Sequence, residues 1–297
     1  MLSNLTVVIV TYKTDEKILR NCINSIDKKI HIKIIENSEE FANRLEFERN
    51  FTNLSIYCTG KNLGYGAGNN FGLEKVDTKF ALISNPDTIY EKNFFENIKT
   101  YLNDKINFSI IGAQYRDNSV FASYGFFEEN KHKKPSTNIK SLTQVDWVVG
   151  YSMLLNLSQF DNKKLFDENF FLYFEEFDLC KQIQVKGGKI YSSSELIVKH
   201  LGSQGSFATN EKLKLDAEKL REWHWMWSTF YFYKKNYGYL FALKKSLGKL
   251  LRAFIKIIYY QLTFNKDLKS KYVSRLLGLS NSIIGKKSTY RVDSKYQ

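Results

Sequence analysis

The chain has 297 residues, of which 43% are hydrophobic and 25% are charged, a composition that excludes an intrinsically disordered protein. Its net charge is +13, yet residues 1–222 carry 29 basic and 29 acidic side chains, whereas residues 223–297 carry 15 basic and two acidic ones. The charge therefore excludes a uniformly basic surface and predicts a neutral globular body followed by a basic tail.

Cysteine usage and the amino terminus both bear on the compartment. Cys22, Cys58 and Cys180 are widely spaced and form neither a CxxC pair nor a metal-ligand pattern, which is typical of a reducing environment. The apolar run after Met1 has no basic segment before it and is too short for a signal peptide. We therefore expect a cytoplasmic protein.

The first 40 residues follow a strand, helix, strand pattern. A β-branched run at 5–10 and an apolar run at 32–35 predict buried strands of a parallel sheet, with an amphipathic helix between them. The polar residues that follow these strands are Thr11, Tyr12, Lys13, Glu36, Asn37 and Ser38. We expect them at the carboxyl edge of the sheet, where open α/β folds bind ligands.

A glycine-rich run, NLGYGAGNNFG at 62–72, follows a third predicted strand at 54–58. Its glycines would suit a loop that brings backbone N–H groups against a phosphate. The spacing matches neither of the common nucleotide-binding fingerprints. A tight turn that leads into a helix explains the run equally well.

The fourth predicted strand, at 80–84, is followed by Asn85, Pro86, Asp87 and Thr88. A carboxylate fixed after a buried strand suits a hard divalent cation. The commoner role for such an aspartate is that of a helix N-cap. The residues alone leave both roles open.

The segment FFLYFEEFDLC at 170–180 sets Glu175, Glu176 and Asp178 among large apolar side chains. Carboxylates persist in a core when they bind a cation, form a pair or handle protons, so the segment is a candidate acid/base cluster. The alternative is a helix with an acidic first turn, because carboxylates favour the positive end of the helix dipole. His200, which follows the next apolar strand, is by itself more typical of a structural residue.

The last quarter of the chain predicts long helices. Residues 211–236 form an amphipathic run rich in aromatic side chains, and residues 238–262 place apolar side chains at helical spacing between lysines. No window offers the ~20 uninterrupted apolar residues of a transmembrane helix. The tail is predicted to lie on an anionic membrane surface or, alternatively, to pack on the body or on another subunit.

Seven segments occur in an order that is specific as a set, although each is weak alone. They are VVIVTYK at 7–13, ENS at 36–38, NLGYGAGNNFG at 62–72, NPDT at 85–88, WVVGYSM at 147–153, FFLYFEEFDLC at 170–180 and KHLGS at 199–203. In this order they resemble the inverting family 2 glycosyltransferases of the GT-A fold, in particular bacterial rhamnosyltransferase-like members. The resemblance implies a nucleotide-sugar donor, a divalent metal and an acceptor hydroxyl.

The resemblance also implies roles for single residues on the donor side. The implied donor contacts are Thr11, Tyr12, Glu36, Asn62, Gly64, Asn85 and Asp87. Asn85 replaces the first aspartate of the family's DxD element, as in the rhamnosyltransferase-like branch. Glu36 replaces the usual aspartate near the base, which leaves uridine and thymidine donors both open.

The catalytic group and the metal follow from the same resemblance. Glu176 matches the family's catalytic base and is one methylene longer than the usual aspartate. Asp87 and His200 are implied as ligands of Mg²⁺ or Mn²⁺, and an imidazole beside a carboxylate suits Mn²⁺ better.

The acceptor side is marked less clearly. The resemblance implies contacts at Trp147, Gly150 and Glu175, although an ordinary buried strand also explains Trp147. Residues 117–138 are polar and charged, and we expect a loop there that covers the donor or touches the acceptor.

These observations predict an α/β body of the GT-A type, Rossmann-like with a mainly parallel central sheet, and a C-terminal helical extension. The body spans residues 1–210, with the donor half at 1–115 and the acceptor half at 116–210, and the basic helical tail spans 211–297.

The predicted enzyme moves a sugar, with L-rhamnose from dTDP-rhamnose as the first choice, to a lipid-linked cell-surface glycan at the inner face of the cytoplasmic membrane. A UDP-hexose donor is the alternative with the same mechanism, and a homo-oligomer is left open. The alternative of another class is a nucleic-acid-binding protein that uses the basic aromatic tail, but it leaves the acidic cluster unexplained.

Overall fold

A computed structural model describes residues 1–103, 105–116, 123–132, 136–139, 141–202 and 211–291. The chain divides into two compact units. The first consists of Met1–Phe166 and Leu179–Ala208, and the second consists of Asp167–Asp178 and Thr209–Gln297. The division predicted at residue 210 stays a prediction.

The strands of the described residues all belong to the first unit. They are β1 (Leu5–Thr11), β2 (His31–Glu36), β3 (Leu54–Cys58), β4 (Phe80–Ser84), β5 (Thr88–Tyr90), β6 (Ile110–Tyr115), β7 (Tyr124–Gly125), β8 (Ser136–Ile139), β9 (Leu142–Gln144), β10 (Trp147–Val148), β11 (Ser152–Asn156) and β12 (Ile190–His200). The helices are α1 (Glu16–Asn24), α2 (Arg44–Asn50), α3 (Tyr65–Glu74), α4 (Phe94–Ile98), α5 (Glu175–Val185), α6 (Glu211–Tyr237), α7 (Tyr239–Leu262) and α8 (Lys266–Ile283).

Ten of the described strands form one sheet in the order β3-β2-β1-β4-β11-β6-β12-β9-β8, with β5 paired to β12. Strands β1 to β4 are parallel to one another, whereas β11 runs antiparallel between β4 and β6. The predicted α/β class with a mainly parallel central sheet and C-terminal helices is confirmed. Parallel pairing explains why β1 is buried along its whole length.

The glycine-rich run is mostly the helix α3, which lies directly on the sheet. A Cβ atom at Gly72 would lie 2.5 Å from Cγ1 of Val8, and one at Gly68 would lie 2.8 Å from Cγ1 of Val10. Real Cβ contacts are not that short, so these glycines allow a close approach of helix and strand. The structure thus favours the turn-and-helix interpretation of this run over a phosphate loop.

The segment predicted as a loop at 117–138 is only partly described. It contains the short strand β7, which pairs with β10, and part of β8. Residues 117–122 and 133–135 lie outside the described residues.

In the second unit, each of α6, α7 and α8 packs on the other two. Their shared core contains Met226, Phe230, Ala242 and Leu279. None of the helices in the described part of the chain combines the length and the apolarity that a membrane crossing requires.

The aromatic half of α6 serves mainly for packing within this unit. Trp223 and Trp227 are buried and stack with ring centroids 6.5 Å apart, and Nε1 of Trp227 donates a hydrogen bond to the Lys286 carbonyl at 2.9 Å. Trp225 is 39% exposed. The tail was predicted either to lie on a membrane surface or to pack, and packing accounts for Trp223 and Trp227.

Helices α6 and α8 approach so closely that a side chain does not fit between them. A Cβ atom at Gly278 would lie 2.1 Å from the carbonyl oxygen of Trp223, which is backbone and cannot turn away. Gly248 on α7 offers a comparison, because a Cβ atom there meets nothing within 4 Å.

We predict opposite effects of Gly278→Ala and Gly248→Ala on stability. The first should lower the free energy of unfolding by about 1–3 kcal/mol because it forces the helices apart. The second should leave it unchanged or raise it by up to about 1 kcal/mol, since alanine favours the helix. Urea unfolding followed by circular dichroism measures both. Equal stability of the two variants would contradict the close packing of α6 on α8.

Candidate active site

At the carboxyl ends of β1 and β2, Glu36 is held by a fixed set of donors. Its buried carboxylate accepts hydrogen bonds from Thr11 Oγ1 at 2.6 Å, from Ser38 Oγ at 2.7 Å and from the Lys13 amide at 3.2 Å. An ionised carboxylate has about four acceptor positions, so about one remains for a ligand. The structure thus brings Thr11 and Glu36 together, while Tyr12 follows at the half-buried end of the strand.

The glycine turn is tied to the same edge of the sheet by Asn37. Its Nδ2 donates to the Gly64 carbonyl at 2.9 Å, and the Gly64 amide donates to Oδ1 of Asn62 at 3.0 Å. The hydroxyl of Tyr65 donates to the Gly150 carbonyl at 2.7 Å. These bonds join three of the resembling segments, at 36–38, 62–72 and 147–153, at one sheet edge. The individual roles of Asn37 and Tyr65 were not predicted, since a bond across 85 residues leaves no local pattern.

The residues implied as metal ligands meet in the structure. Oδ1 of Asp87 lies 3.1 Å from Nε2 of His200, and the side-chain Nδ2 of Asn85 lies 3.2 Å from the same Nε2. Asp87 is buried and directly precedes β5, so the alternative role as a helix N-cap is wrong. The pairing of Thr88 with His200 between β5 and β12 sets this distance.

A second layer of contacts fixes the turn that carries Asp87. The backbone carbonyl of Tyr151 accepts hydrogen bonds from the backbone N–H of Asn85 at 2.9 Å and from Thr88 Oγ1 at 3.2 Å. The Tyr151 ring also stacks on His200 with centroids 5.3 Å apart. Burial raises the pKa of Tyr151 to about 12, so this phenol stays neutral.

One carboxylate and one imidazole fit a divalent ion as a partial ligand set. Adjacent ligands of an octahedral ion with bonds of about 2.1 Å lie about 3 Å apart, which agrees with the separation of 3.1 Å between Asp87 and His200. Among the described residues, no group of three or more His, Cys, Asp and Glu side chains converges. The remaining ligands would have to be water molecules and phosphate oxygens of the nucleotide-sugar donor, as is usual for Mg²⁺ at phosphates.

The residues predicted for the acceptor lie around β10. The ring of half-buried Trp147 covers Gly125, where a Cβ atom would lie 2.3 Å from Cζ2. The preceding carboxylate, Asp146, accepts hydrogen bonds from the Phe127 amide and from Asn130 Nδ2, both at 2.9 Å. Trp147 therefore has a packing role, and its contact with an acceptor stays a prediction.

The acidic segment forms the start of α5 in the second unit, and its carboxylates differ in environment. Glu175 is buried and its Oε2 has no hydrogen-bond partner among the described residues, whereas Glu176 is half-buried. Burial, and then the charge of Glu176, raise the pKa of Glu175 well above its usual value. Burial thus favours the protonated form of Glu175.

Asp178, the third carboxylate, is a structural residue. It is buried and accepts hydrogen bonds from Lys235 Nζ at 2.7 Å and from Asn236 Nδ2 at 3.0 Å. The same Nζ donates at 2.8 Å to Asp167, which also accepts from the Tyr231 hydroxyl at 3.1 Å. Lys235 therefore ties both ends of the segment 167–178 to α6.

The pKa values agree with this ion pairing. Burial alone would raise the pKa of Asp167, but the hydrogen bonds from Lys235 and Asn169 outweigh it and lower the pKa. Burial would lower the pKa of Lys235, but its bonds to Asp167 and Asp178 outweigh it and raise the pKa.

The backbone just before the carboxylates is strained. Tyr173 and Phe174 have φ values of +69° and +70°, a region that bulky side chains rarely adopt and that costs about 1–3 kcal/mol for each residue. Both rings pack on Trp225 with centroids 5.3 Å away. The contacts with α6 thus hold a conformation that the isolated segment would leave.

The sequence profile described as Glycosyl transferase family 2 matches residues 6–177, which is more than half of the chain. The chain belongs to this family. A family 2 glycosyltransferase domain is thereby confirmed, whereas the nucleic-acid-binding alternative, which rests on the basic tail, stays a prediction.

Two named relatives each match about three fifths of this chain. It is 26% identical over 197 residues to the low-salt glycan biosynthesis hexosyltransferase Agl10 of Haloferax volcanii, an alignment that covers 61% of each chain. It is 27% identical over 199 residues to rhamnosyltransferase WbbL of Escherichia coli K12, which covers 59% of this chain and 74% of the relative.

A solved relative supports the fold. The mannosyltransferase PcManGT from Pyrobaculum calidifontis, in complex with GDP-Man and Mn²⁺, superposes with a TM-score of 0.54 over 94% of this chain and 87% of its own, at 10% identity. At that identity the likeness shows the fold alone, and it confirms the predicted GT-A architecture.

We predict that Lys235→Met impairs this glycosyltransferase through the acidic segment. Removing the ammonium leaves buried Asp178 without its cation, which should lower the free energy of unfolding by about 1.5–3 kcal/mol. The kcat should fall about tenfold or more because Glu176 loses its fixed position, while the KM for the donor changes little.

Two variants serve as controls for this prediction. Lys235→Arg keeps the charge and should restore part of the kcat, and Lys234→Met removes the neighbouring exposed lysine and should change nothing. A kcat of Lys235→Met equal to that of the parent, in protein shown to be folded, would contradict a positioning role.

Proposed function

We propose that this chain is an inverting, metal-dependent glycosyltransferase that transfers L-rhamnose from dTDP-rhamnose to a hydroxyl of a lipid-linked glycan. The observation that carries the proposal is the pair Glu175 and Glu176 at the start of α5, within a chain that belongs to glycosyltransferase family 2.

The environments of the two glutamates assign the base. Two adjacent carboxyls do not both ionise readily when one of them is buried. Burial selects Glu175 as the protonated member. Glu176, which is less buried than Glu175, is the member of the pair that would accept the proton of the acceptor hydroxyl.

The reaction is a single displacement at the anomeric carbon. As Glu176 takes the hydroxyl proton, the acceptor oxygen forms a bond to that carbon, and the bond from the carbon to the diphosphate oxygen breaks on the opposite face. The sugar is transferred to the acceptor oxygen with inverted configuration at the anomeric carbon. The nucleoside diphosphate departs with the bonding electron pair, and the proton stays on Glu176.

Asp87 and His200 would hold the divalent ion. When bound, Mg²⁺ or Mn²⁺ would neutralise negative charge on the departing diphosphate. Oδ1 of Asp87 and Nε2 of His200 are 3.1 Å apart, a separation that two ligands of one ion can adopt.

The donor is supported by the relatives' names and by the residues near the base. One relative at 27% identity is named a rhamnosyltransferase, and one at 26% a hexosyltransferase. Thr11, Glu36 and Asn62 would contact the nucleotide. Glu36, which is longer than the usual aspartate, leaves the second candidate open, a UDP-hexose donor used by the same mechanism.

The acceptor and the location belong to the same proposal. The basic tail, with 15 basic and two acidic residues at 223–297, supports a peripheral position at the anionic inner face of the cytoplasmic membrane. A lipid-linked glycan would be presented there, with Trp147, Gly150 and Glu175 proposed on the acceptor side.

We predict that Glu176→Gln and Glu175→Gln differ sharply in activity. Glutamine cannot accept the proton, so the first should lower kcat about 10²-fold or more with donor binding kept. Glutamine resembles a protonated glutamate, so the second should stay within a few-fold of the parent. Reversed effects in a transfer assay would move the base to Glu175.

We further predict that dTDP-rhamnose with Mn²⁺ raises the melting temperature more than UDP-sugars or GDP-mannose do, because a ligand of the native state stabilises it by mass action. Asp87→Ala and His200→Ala should each raise the Mn²⁺ concentration needed for this shift. A shift with a UDP-hexose alone would replace the donor by the second candidate, and full turnover in EDTA would contradict the metal.

A further inference from the structure

Helix α7 presents an apolar stripe to the outside that its packing within the second unit does not use. Most of its members are three, four or seven residues apart, and their exposed fractions lie between 48% and 80%. They are Leu240, Leu247, Leu251, Phe254, Ile255, Ile258 and Leu262. At 100° per residue these positions lie within about 100° of one another around the helix; we call them the outer face.

The opposite side of α7 is the one that packs. Ala242, Ser246 and Ala253 are buried, and Leu243 and Leu250 contact the core of α6, α7 and α8. The helix therefore has two apolar sides. Only one is needed for the three helices to pack.

The outer face is bordered by positive charge. Helix α7 carries five basic side chains and no acidic one. Lys245, Arg252 and Lys256 follow one another at helical spacing beside the stripe, and Nζ of Lys256 lies 5.2 Å from the Tyr259 ring. Aromatic and long basic side chains at such a border are typical of a helix at a membrane interface.

The stripe ends in a groove that suits a headgroup. At the turn from α7 to α8, Tyr260, Gln261, Phe264, Lys266 and Lys269 line this groove. Phe264 is 86% exposed, and two lysines stand beside it. An apolar tip next to two ammonium groups matches the acyl chain and the phosphate of one anionic lipid.

The charge pattern favours a bilayer over a second copy of the chain. Two copies joined by their outer faces would bring together the basic side chains that flank each stripe, without an acidic partner on either α7, and like charges repel. An anionic leaflet supplies the missing opposite charge. None of the described helices can cross a membrane, so α7 would lie in the plane of the surface.

We propose that the outer face of α7, together with the groove at the α7–α8 turn, is the surface by which this protein docks on anionic phospholipid. The apolar stripe enters the boundary between headgroups and acyl chains, and the flanking lysines and arginine bind headgroup phosphates. The proposal rests on the proposed function only for the lipid-linked acceptor, and docking itself needs neither donor nor turnover.

Vesicle sedimentation of the full chain without nucleotide tests the apolar part. The protein should sediment with vesicles of phosphatidylcholine and phosphatidylglycerol in equal parts, and not with phosphatidylcholine alone. Leu251→Asp with Leu262→Asp should lower the bound fraction about tenfold or more. Leu45→Asp with Val185→Asp, of similar exposure on other helices, is the matched control and should bind as the parent does.

A second pair of variants tests the charge without touching the apolar stripe. Arg252→Gln with Lys256→Gln should weaken binding and its dependence on salt, whereas Lys28→Gln with Lys29→Gln, exposed lysines of the first unit, should not. High salt should release the parent because surface charges are screened over about 8 Å at physiological ionic strength.

The outcomes that overturn the proposal are separate from failure of the transferase. Equal vesicle binding by the outer-face variant and the parent, or binding indifferent to lipid charge, would exclude docking by this face. A dimer in light scattering that the outer-face variant dissociates, with vesicle binding unchanged, would make the face a contact between copies. Melting shifts with nucleotide sugars report the donor site in the same proteins.

Discussion

The bridge from Lys235 to Asp167 and Asp178 is the constraint on which the acidic segment depends. One ammonium donates hydrogen bonds to both carboxylates, and the hydroxyl of Tyr231 and the side-chain amide of Asn236 donate the further bonds that a single cation cannot supply. A buried carboxylate is costly without such partners. The two aspartates lie near the two ends of a 12-residue stretch, so one side chain fixes the position of everything between them.

The stretch 167–178 has two unfavourable features that would relax if the bridge from Lys235 were absent. Tyr173 and Phe174 adopt left-handed backbone conformations, and Glu175 buries a carboxyl oxygen that finds no partner among the described residues. Both are unfavourable locally, and both stand directly before Glu176. Active sites commonly contain strained or buried groups that the surrounding contacts hold in place, so that reactive side chains are positioned before the reaction begins. The packing of this stretch on α6 offsets the free-energy cost of both features.

Much of the fold could be predicted because strong local patterns agree with it. The β-branched run that became β1 and the polar residues after β1, β2 and β4 required only knowledge of how parallel sheets are buried. The antiparallel insertion of β11 and the bond from Tyr65 to Gly150 could not be predicted, since they depend on pairing between distant segments. The acidic segment shows the same limit: its three carboxylates look equivalent in the sequence, yet Asp178 became an ion-pair residue because a lysine 57 positions later reaches it.

Membership of residues 167–178 in the unit of α6, α7 and α8 also restricts how relatives can exchange parts. A single crossover near residue 210 would take the two aspartates from one parent and helix α6 from the other, so the ion pairs would form only where the second parent supplies a basic side chain at the position of Lys235. An exchange of the whole unit needs three junctions, before Asp167, after Asp178 and before Thr209. Segment and tail should therefore be inherited together, and libraries of chimaeric transferases built on one junction should be dominated by inactive members.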